Sequence, residues 1–129
     1  MRLLLDTHIL LWVLLMPARL SGQTQALIRS GQNEVMFSAA SIWEIAIKAR
    51  LGRDDFTARP EAVARNARNV GFVECAIHAD AATRVADLPF HHRDPFDRLL
   101  VAQALEAPAR LLTFDAVLCQ YSDLVMLVD

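Results

Sequence analysis

Met1-Arg2-Leu3-Leu4-Leu5-Asp6-Thr7-His8 opens the chain, and its reading decides the fold. A run of leucines stops abruptly at an aspartate, followed by a hydroxyl residue and a histidine. So short an apolar run, bounded by polar residues, reads as a strand buried on both faces of a parallel sheet. In open α/β sheets, ligands bind outside the carboxyl ends of the strands, which is where Asp6 falls. The stretch therefore raises one question: do other carboxylates arrive at the same edge?

Outward from that strand, punctuation divides the chain. Ile9 to Leu15 reads as a hydrophobic helix, capped by Asp6 or Thr7 and closed by Pro17. Ser21 caps a second helix to about Ser30, with Gly31 as its stop. Glu34 to Ser38 is a second strand and runs into Ala39 to Gly52, whose Ile42, Ile45, Ala46 and Ala49 recur at helical spacing. A polar bridge from Arg53 to Arg59 leads to Pro60, the first position of a helix through Asn69. Phe72 to Ile77 is a third strand, Asp80 to Ala86 a short helix, and Phe90 to Arg93 a loop. Asp94 and Pro95 then mark the start of a helix that runs to Glu106. Arg110 to Asp115 is a fourth strand, again ending in an aspartate. Ala116 to Tyr121 is a turn of helix and Leu124 to Val128 a final strand. This alternation predicts one α/β domain over residues 1–129, in three layers, with a mostly parallel central sheet covered by helices on both faces.

Composition narrows the function. A hydrophobic content of 54% is on the high side for a globular domain, enough to cover a partner surface as well as a core. A net charge of −2 gives no global pull toward nucleic acid. Lys48, the single lysine, with Arg50, Arg53, Arg59, Arg65 and Arg68 forms a central basic cluster that reads as a solvated helical face. Cys75 and Cys119 lack CxxC spacing and read as reduced, unpaired thiols of a cytoplasmic protein. The apolar run Ile9 to Met16 is too short to span a bilayer, and an acid near its start does not suit a secretory leader. The expectation is a soluble protein with no membrane partner.

Four acids carry the chemistry, and each has a structural reading. Asp6 can cap the helix after it. Glu44 can close a capping box with Ser41 or pair with Lys48 four residues on. Asp97 suits a helix first turn, and Asp115 can cap the turn that follows its strand. Together they say more, because Asp6 and Asp115 end strands while Glu44 and Asp97 are expected in the first turns of helices at the same sheet edge. Four carboxylates gathered there repel one another unless a cation sits between them. Oxygen ligands without clustered His or Cys select a hard ion, Mg²⁺ or Mn²⁺ over Zn²⁺. Such sites suit phosphoryl chemistry.

These residues also carry a resemblance. Leu4-Leu5-Asp6-Thr7-His8 resembles the opening of the PIN domains, an α/β ribonuclease family. Ser38-Ala39-Ala40-Ser41-Ile42-Trp43-Glu44 through Lys48 resembles the second motif of its VapC toxin branch. His92-Arg93-Asp94-Pro95-Phe96-Asp97-Arg98 resembles the third and Leu112-Thr113-Phe114-Asp115 the fourth. The resemblance implies a PIN-like fold in which Asp6, Glu44, Asp97 and Asp115 bind metal and are catalytic. It further implies support from Thr113, Ser38 and Ser41, and Mg²⁺-dependent cleavage of RNA by a metal-activated water. A VapB-like antitoxin partner and a homodimer are also implied.

The remaining polar residues read more modestly. Asp94 is mainly an N-cap that adds a fifth carboxylate, and Lys48, Arg93 and Arg98 are candidates for phosphate contacts. His8 packs near the first helix, and His91 and His92 read as solvent-facing loop residues. Trp43 reads as core or partner surface. A haloacid-dehalogenase-like phosphatase needs an acid at position 8, which is histidine here. A receiver domain needs paired acids and a late lysine, and a nucleotide-binding fold needs a glycine-rich first loop. The non-enzymatic alternative is a catalytically silent PIN-like module that binds protein.

Overall fold

Leu3, Leu4 and Leu5 have no exposure to solvent, and alternation along a strand sends them to opposite sides of the sheet. Leu3 and Leu5 join one core cluster with Val35, Phe37 and Leu112; Leu4 joins a second with Met36 and Leu111. A strand with both faces in a core must lie inside a sheet with helices on each side. The computed structural model, which describes residues 1–52 and 57–129, has that architecture. Residues 53–56 of the expected polar bridge lie outside the described residues.

The five strands are β1 (Arg2–Leu5), β2 (Glu34–Ser38), β3 (Val73–Cys75), β4 (Arg110–Thr113) and β5 (Val125–Leu127). Their spatial order is β3-β2-β1-β4-β5, and every neighbouring pair is parallel. Leu5 is in register with Phe37 on one side and Leu112 on the other. The chain builds β1, β2 and β3 outward in one direction, then crosses to β4 and β5. Strand order reverses between β1 and β4, and a crevice opens at the carboxyl ends of such a pair.

One face is covered by α1 (Thr7–Leu15), α2 (Gly22–Arg29), α3 (Ala39–Arg50) and α4 (Pro60–Asn69), which contribute Ile9, Leu10, Ile28, Ile45, Val63 and Ala67 to the first cluster. The other is covered by α6 (Pro95–Glu106) through Leu100, Val101 and Ala104, with α5 (Ala79–Arg84) packed on α6. Gly52 and Gly71 sit just past α3 and α4 at φ of 73° and 95°, a left-handed conformation that costs glycine nothing.

Several boundaries differ from the sequence reading for local reasons. Helix α1 starts at Thr7, two residues early, because the Asp6 carboxylate accepts the Ile9 N–H at 2.9 Å. Strand β3 is three residues, not the expected Phe72 to Ile77, because it is an edge strand with one neighbour, and Ile77 is exposed. A short edge limits unwanted pairing. The expected Asp80 to Ala86 helix is α5 followed by a 3₁₀ turn, Val85–Asp87. Strand β4 stops at Thr113 because the Asp115 N–H turns back to the Thr113 hydroxyl at 3.1 Å. Cys75 and Cys119 are unpaired and half-buried. Among the described residues no helix is long and apolar enough to cross a membrane.

Candidate metal centre

Asp6 leaves the end of β1 with its own N–H bonded to the Leu112 carbonyl of β4 at 3.0 Å. Its side chain is 5% exposed. Oδ1 accepts the Ile9 N–H and Oδ2 accepts the Thr113 hydroxyl at 2.6 Å. Each carboxylate oxygen keeps a further lone pair, so capping and support do not exhaust its capacity to bind a cation. Thr113 thus joins two acids: it donates to Asp6 and accepts from the Asp115 backbone.

Glu44 lies in the second turn of α3, not the first, and is 2% exposed. Ser38 is the N-cap of α3, its Oγ accepting the Ala40 N–H at 2.9 Å, so the Ser41–Glu44 capping box does not form. The start of the helix three residues earlier turns Ser41 and Glu44 inward. Thr7 donates its hydroxyl to Glu44 Oε1 at 2.6 Å and lies 3.0 Å from the Ser41 Oγ. Lys48 pairs with Glu44 Oε2 at 2.6 Å. Ser38 donates to Gln103 Oε1, and Gln103 in turn donates to the Ala76 carbonyl beyond β3. Its role is to fix the start of α3 against α6.

Asp97 stands in the first turn of α6, whose N-cap is Asp94, with Oδ1 accepting from the N–H groups of Phe96 and Asp97. Asp115 accepts the Val117 N–H through Oδ1 and contacts His92 Nε2 through Oδ2 at 2.8 Å. His92 Nε2 is also 3.6 Å from Asp97 Oδ2. Ligand atoms of His92, Asp97 and Asp115 all fall within 4.8 Å of one another. That spacing invites a nitrogen ligand, but the hydrogen bonds argue otherwise. His92 Nδ1 accepts the Asp94 N–H at 3.0 Å, so the ring proton sits on Nε2 and is donated to Asp115. His92 is arranged as a donor that orients a carboxylate.

The sequence reading of His92 as a solvent-facing residue is therefore corrected. Its backbone N–H and that of His91 both donate to the Tyr121 hydroxyl, which folds the loop inward. Arg98 differs as well. It is 9% exposed, and its guanidinium donates to the carbonyls of Val85 and Pro89 and to Tyr121, so it braces the loop and does not face a phosphate. Arg93 is exposed. Trp43 is 57% exposed, with its ring edge-on to Phe96.

Electrostatics ties the four acids together. The Asp97 carboxyl is pushed up to about 8, first by burial and then by Asp94, Asp6, Glu44 and Asp115 in that order. Asp6 is raised by burial, with Glu44 adding to the rise, while the Thr113 and Ile9 hydrogen bonds and nearby His8 oppose it. Four acids from four separate segments act on one another at the sheet edge. The profile of the PIN domain family matches residues 3–124.

The chain belongs to the PIN domain family. The fold of this PIN domain is similar to that of a chain in the crystal structure of VapBC2 from Rickettsia felis bound to a DNA fragment from their promoter. The TM-score is 0.69 at 13% identity, over 98% of this chain and 97% of that one. No curated protein sequence matches it. Two residues of this PIN domain carry more of the site than the sequence reading assigned them. From sequence, Thr7 reads only as a cap and His92 only as loop. The signal for Thr7 is its place directly after the strand-ending acid. For His92 no spacing gives it away, because its partner Asp115 is 23 residues distant.

Proposed function

We propose that this PIN domain is a Mg²⁺-dependent endoribonuclease and the toxin of a toxin–antitoxin pair. The observation that carries the proposal is the gathering of acids around Asp97, whose carboxyl is pushed up to about 8 first by burial and then by Asp94, Asp6, Glu44 and Asp115. A divalent cation fits this donor set, because the four acids offer hard oxygen ligands and the one nearby imidazole nitrogen is engaged as a donor. Asp6, Glu44, Asp97 and Asp115 are the residues that would hold Mg²⁺, with Mn²⁺ as a substitute. When bound, the ion supplies an activated water and neutralises charge on a phosphodiester.

The chain's own contribution is orientation. Thr113 and the Ile9 N–H fix Asp6; Thr7 and Lys48 fix Glu44; His92 fixes Asp115; Asp94 fixes the turn that bears Asp97. Ser38 sets the start of α3, and Ser41 meets the Thr7 hydroxyl beside Glu44. Exposed Arg93, two residues before the α6 start, is suited to a substrate phosphate. A small VapB-like antitoxin and a second copy of the chain are the proposed protein partners, consistent with apolar side chains left exposed on α1 and α3: Leu15, Trp43 and Ile47.

The test is cleavage of single-stranded and structured RNA by wild type, Asp6→Asn and Asp97→Asn, with Mg²⁺ or with excess EDTA. Wild type with Mg²⁺ is expected to cut, and each substitution to lower the rate at least 100-fold. Cleavage that survives EDTA or either substitution sinks the metal-nuclease reading. Absence of cleavage by the wild type with Mg²⁺ or Mn²⁺ favours a silent protein-binding module.

A further inference from the structure

Between Thr113, which holds Asp6, and Asp115 stands Phe114, an aromatic residue that is 40% exposed. Its ring stacks on Trp12 of α1, with centroids 4.8 Å apart and planes inclined by 20°. His8 is edge-on to Phe114 at 5.6 Å and to Trp12 at 6.3 Å. Those three separations form a closed triangle, so His8 lies beside the stack and not over the far face of Phe114. One face of Phe114 is therefore covered by Trp12, no aromatic ring among the described residues covers the other, and the residue keeps 40% exposure. Arg19 places its guanidinium 5.4 Å from the Trp12 centroid, adding a cation to the assembly.

A phenylalanine held flat from behind and open in front offers a π-face on which another ring can stack. Its position indicates what does. Phe114 follows Thr113, which holds Asp6, and its ring meets His8, whose charge acts on Asp6, so the platform adjoins the acids. A strand with a phosphodiester at the acids has a neighbouring nucleotide within reach of this ring. Unpaired bases are recognised by stacking on aromatic side chains, whereas paired bases are not available for it. We propose that the open face of Phe114 is a subsite for one unpaired base of an RNA strand, next to the phosphate at the acids, and that it helps set where the strand is cut. The subsite rests on the nuclease reading for its biological meaning, but it can be tested separately. Trp12 makes the platform rigid.

The experiment uses the full chain and a short single-stranded RNA carrying 2-aminopurine at successive positions, with Ca²⁺ replacing Mg²⁺ to slow cleavage. Stacking is expected to quench the fluorophore at one position far more than at the others. Phe114→Leu is expected to weaken binding about tenfold or more, within the range seen for loss of one stacked base. Phe114→Trp is expected to restore both quenching and affinity. An RNA abasic at the quenched position should bind wild type and Phe114→Leu equally. Circular dichroism of each variant confirms folding. Equal loss for the intact and abasic RNAs, or no loss with Phe114→Leu, overturns the subsite and leaves the patch to a protein partner. Metal-dependent cleavage by wild type is measured alongside. Base-dependent binding without cleavage retains the subsite and fails the nuclease reading; cleavage without base dependence does the reverse.

Discussion

Asp97 shows how a single side chain links the site to stability. Its carboxyl is ordinary in the unfolded chain and rises to about 8 on folding, by burial and by Asp94, Asp6, Glu44 and Asp115. Between those values the folded chain holds a proton that the unfolded chain has released, so stability is full at low pH and falls as pH rises through about 8. The slope approaches about 1.4 kcal/mol per pH unit for one proton. Asp6, raised by burial, acts with the same sign. Glu61 and Asp129 are held low by the Arg59 and Ser21 hydrogen bonds, so they act with the opposite sign, and only in acid near or below the ordinary carboxylate range. In EDTA the urea midpoint should therefore fall steadily from pH 5 to 8, and Asp97→Asn should flatten the profile. A wild-type midpoint that is level or rising over that range contradicts the electrostatic picture of the site.

At the level of elements, α6 and the loop before it form one unit held by Arg98. The guanidinium joins the helix to Val85, Pro89 and Tyr121, and Tyr121 collects the N–H groups of His91 and His92. Arg98→Met should leave those carbonyls without their charged donor and cost about 2–4 kcal/mol in denaturant unfolding. Arg93→Gln, on the exposed side of the same loop, should stay within about 0.5 kcal/mol of wild type and weaken RNA binding instead. If Arg98→Met keeps its stability and loses only RNA affinity, its bracing role is wrong.

The same pair of arginines shows where the sequence stops being legible. Asp94-Pro95 announces the helix start, and the leucines before Asp6 announce a doubly buried strand, because caps and burial are local properties. Arg93, four residues before Asp97, and Arg98, directly after it, read alike in sequence as candidates for a phosphate. Which one faces inward depends on how α6 rolls against Val85 and Tyr121, which no local pattern encodes. Glu44 is a related case: Ser41-x-x-Glu44 satisfies a capping rule, but Ser38 at the end of β2 starts the helix first. His92 depends on a partner delivered by β4.

For the whole molecule, the strand order explains both the site and its cost. Placing β1 between β2 and β4 joins Asp6 and Asp115 through Thr113 and sets Glu44 and Asp97 in the first two turns of adjacent helices, at the point where the strand order reverses. Gathered acids repel one another and are favoured around a further cation, so the proposed metal site predicts that metal binding and folding are linked. At 100 times its dissociation constant a ligand specific for the folded state stabilises by about 2.7 kcal/mol. For a chain of this size that raises Tm by roughly 10 °C. The rise should shrink at pH 5.5, where the ion competes with the protons on Asp97 and Asp6, and it should vanish on addition of EDTA. Asp97→Asn should give a crossed result: higher Tm than wild type without Mg²⁺ at pH 8, because the repulsion is gone, and little further gain when Mg²⁺ is added. Differential scanning calorimetry of the two proteins with and without Mg²⁺ decides it. If wild type gains nothing from Mg²⁺, or Asp97→Asn gains as much as wild type, the acids are not a metal site, and their crowding needs another explanation.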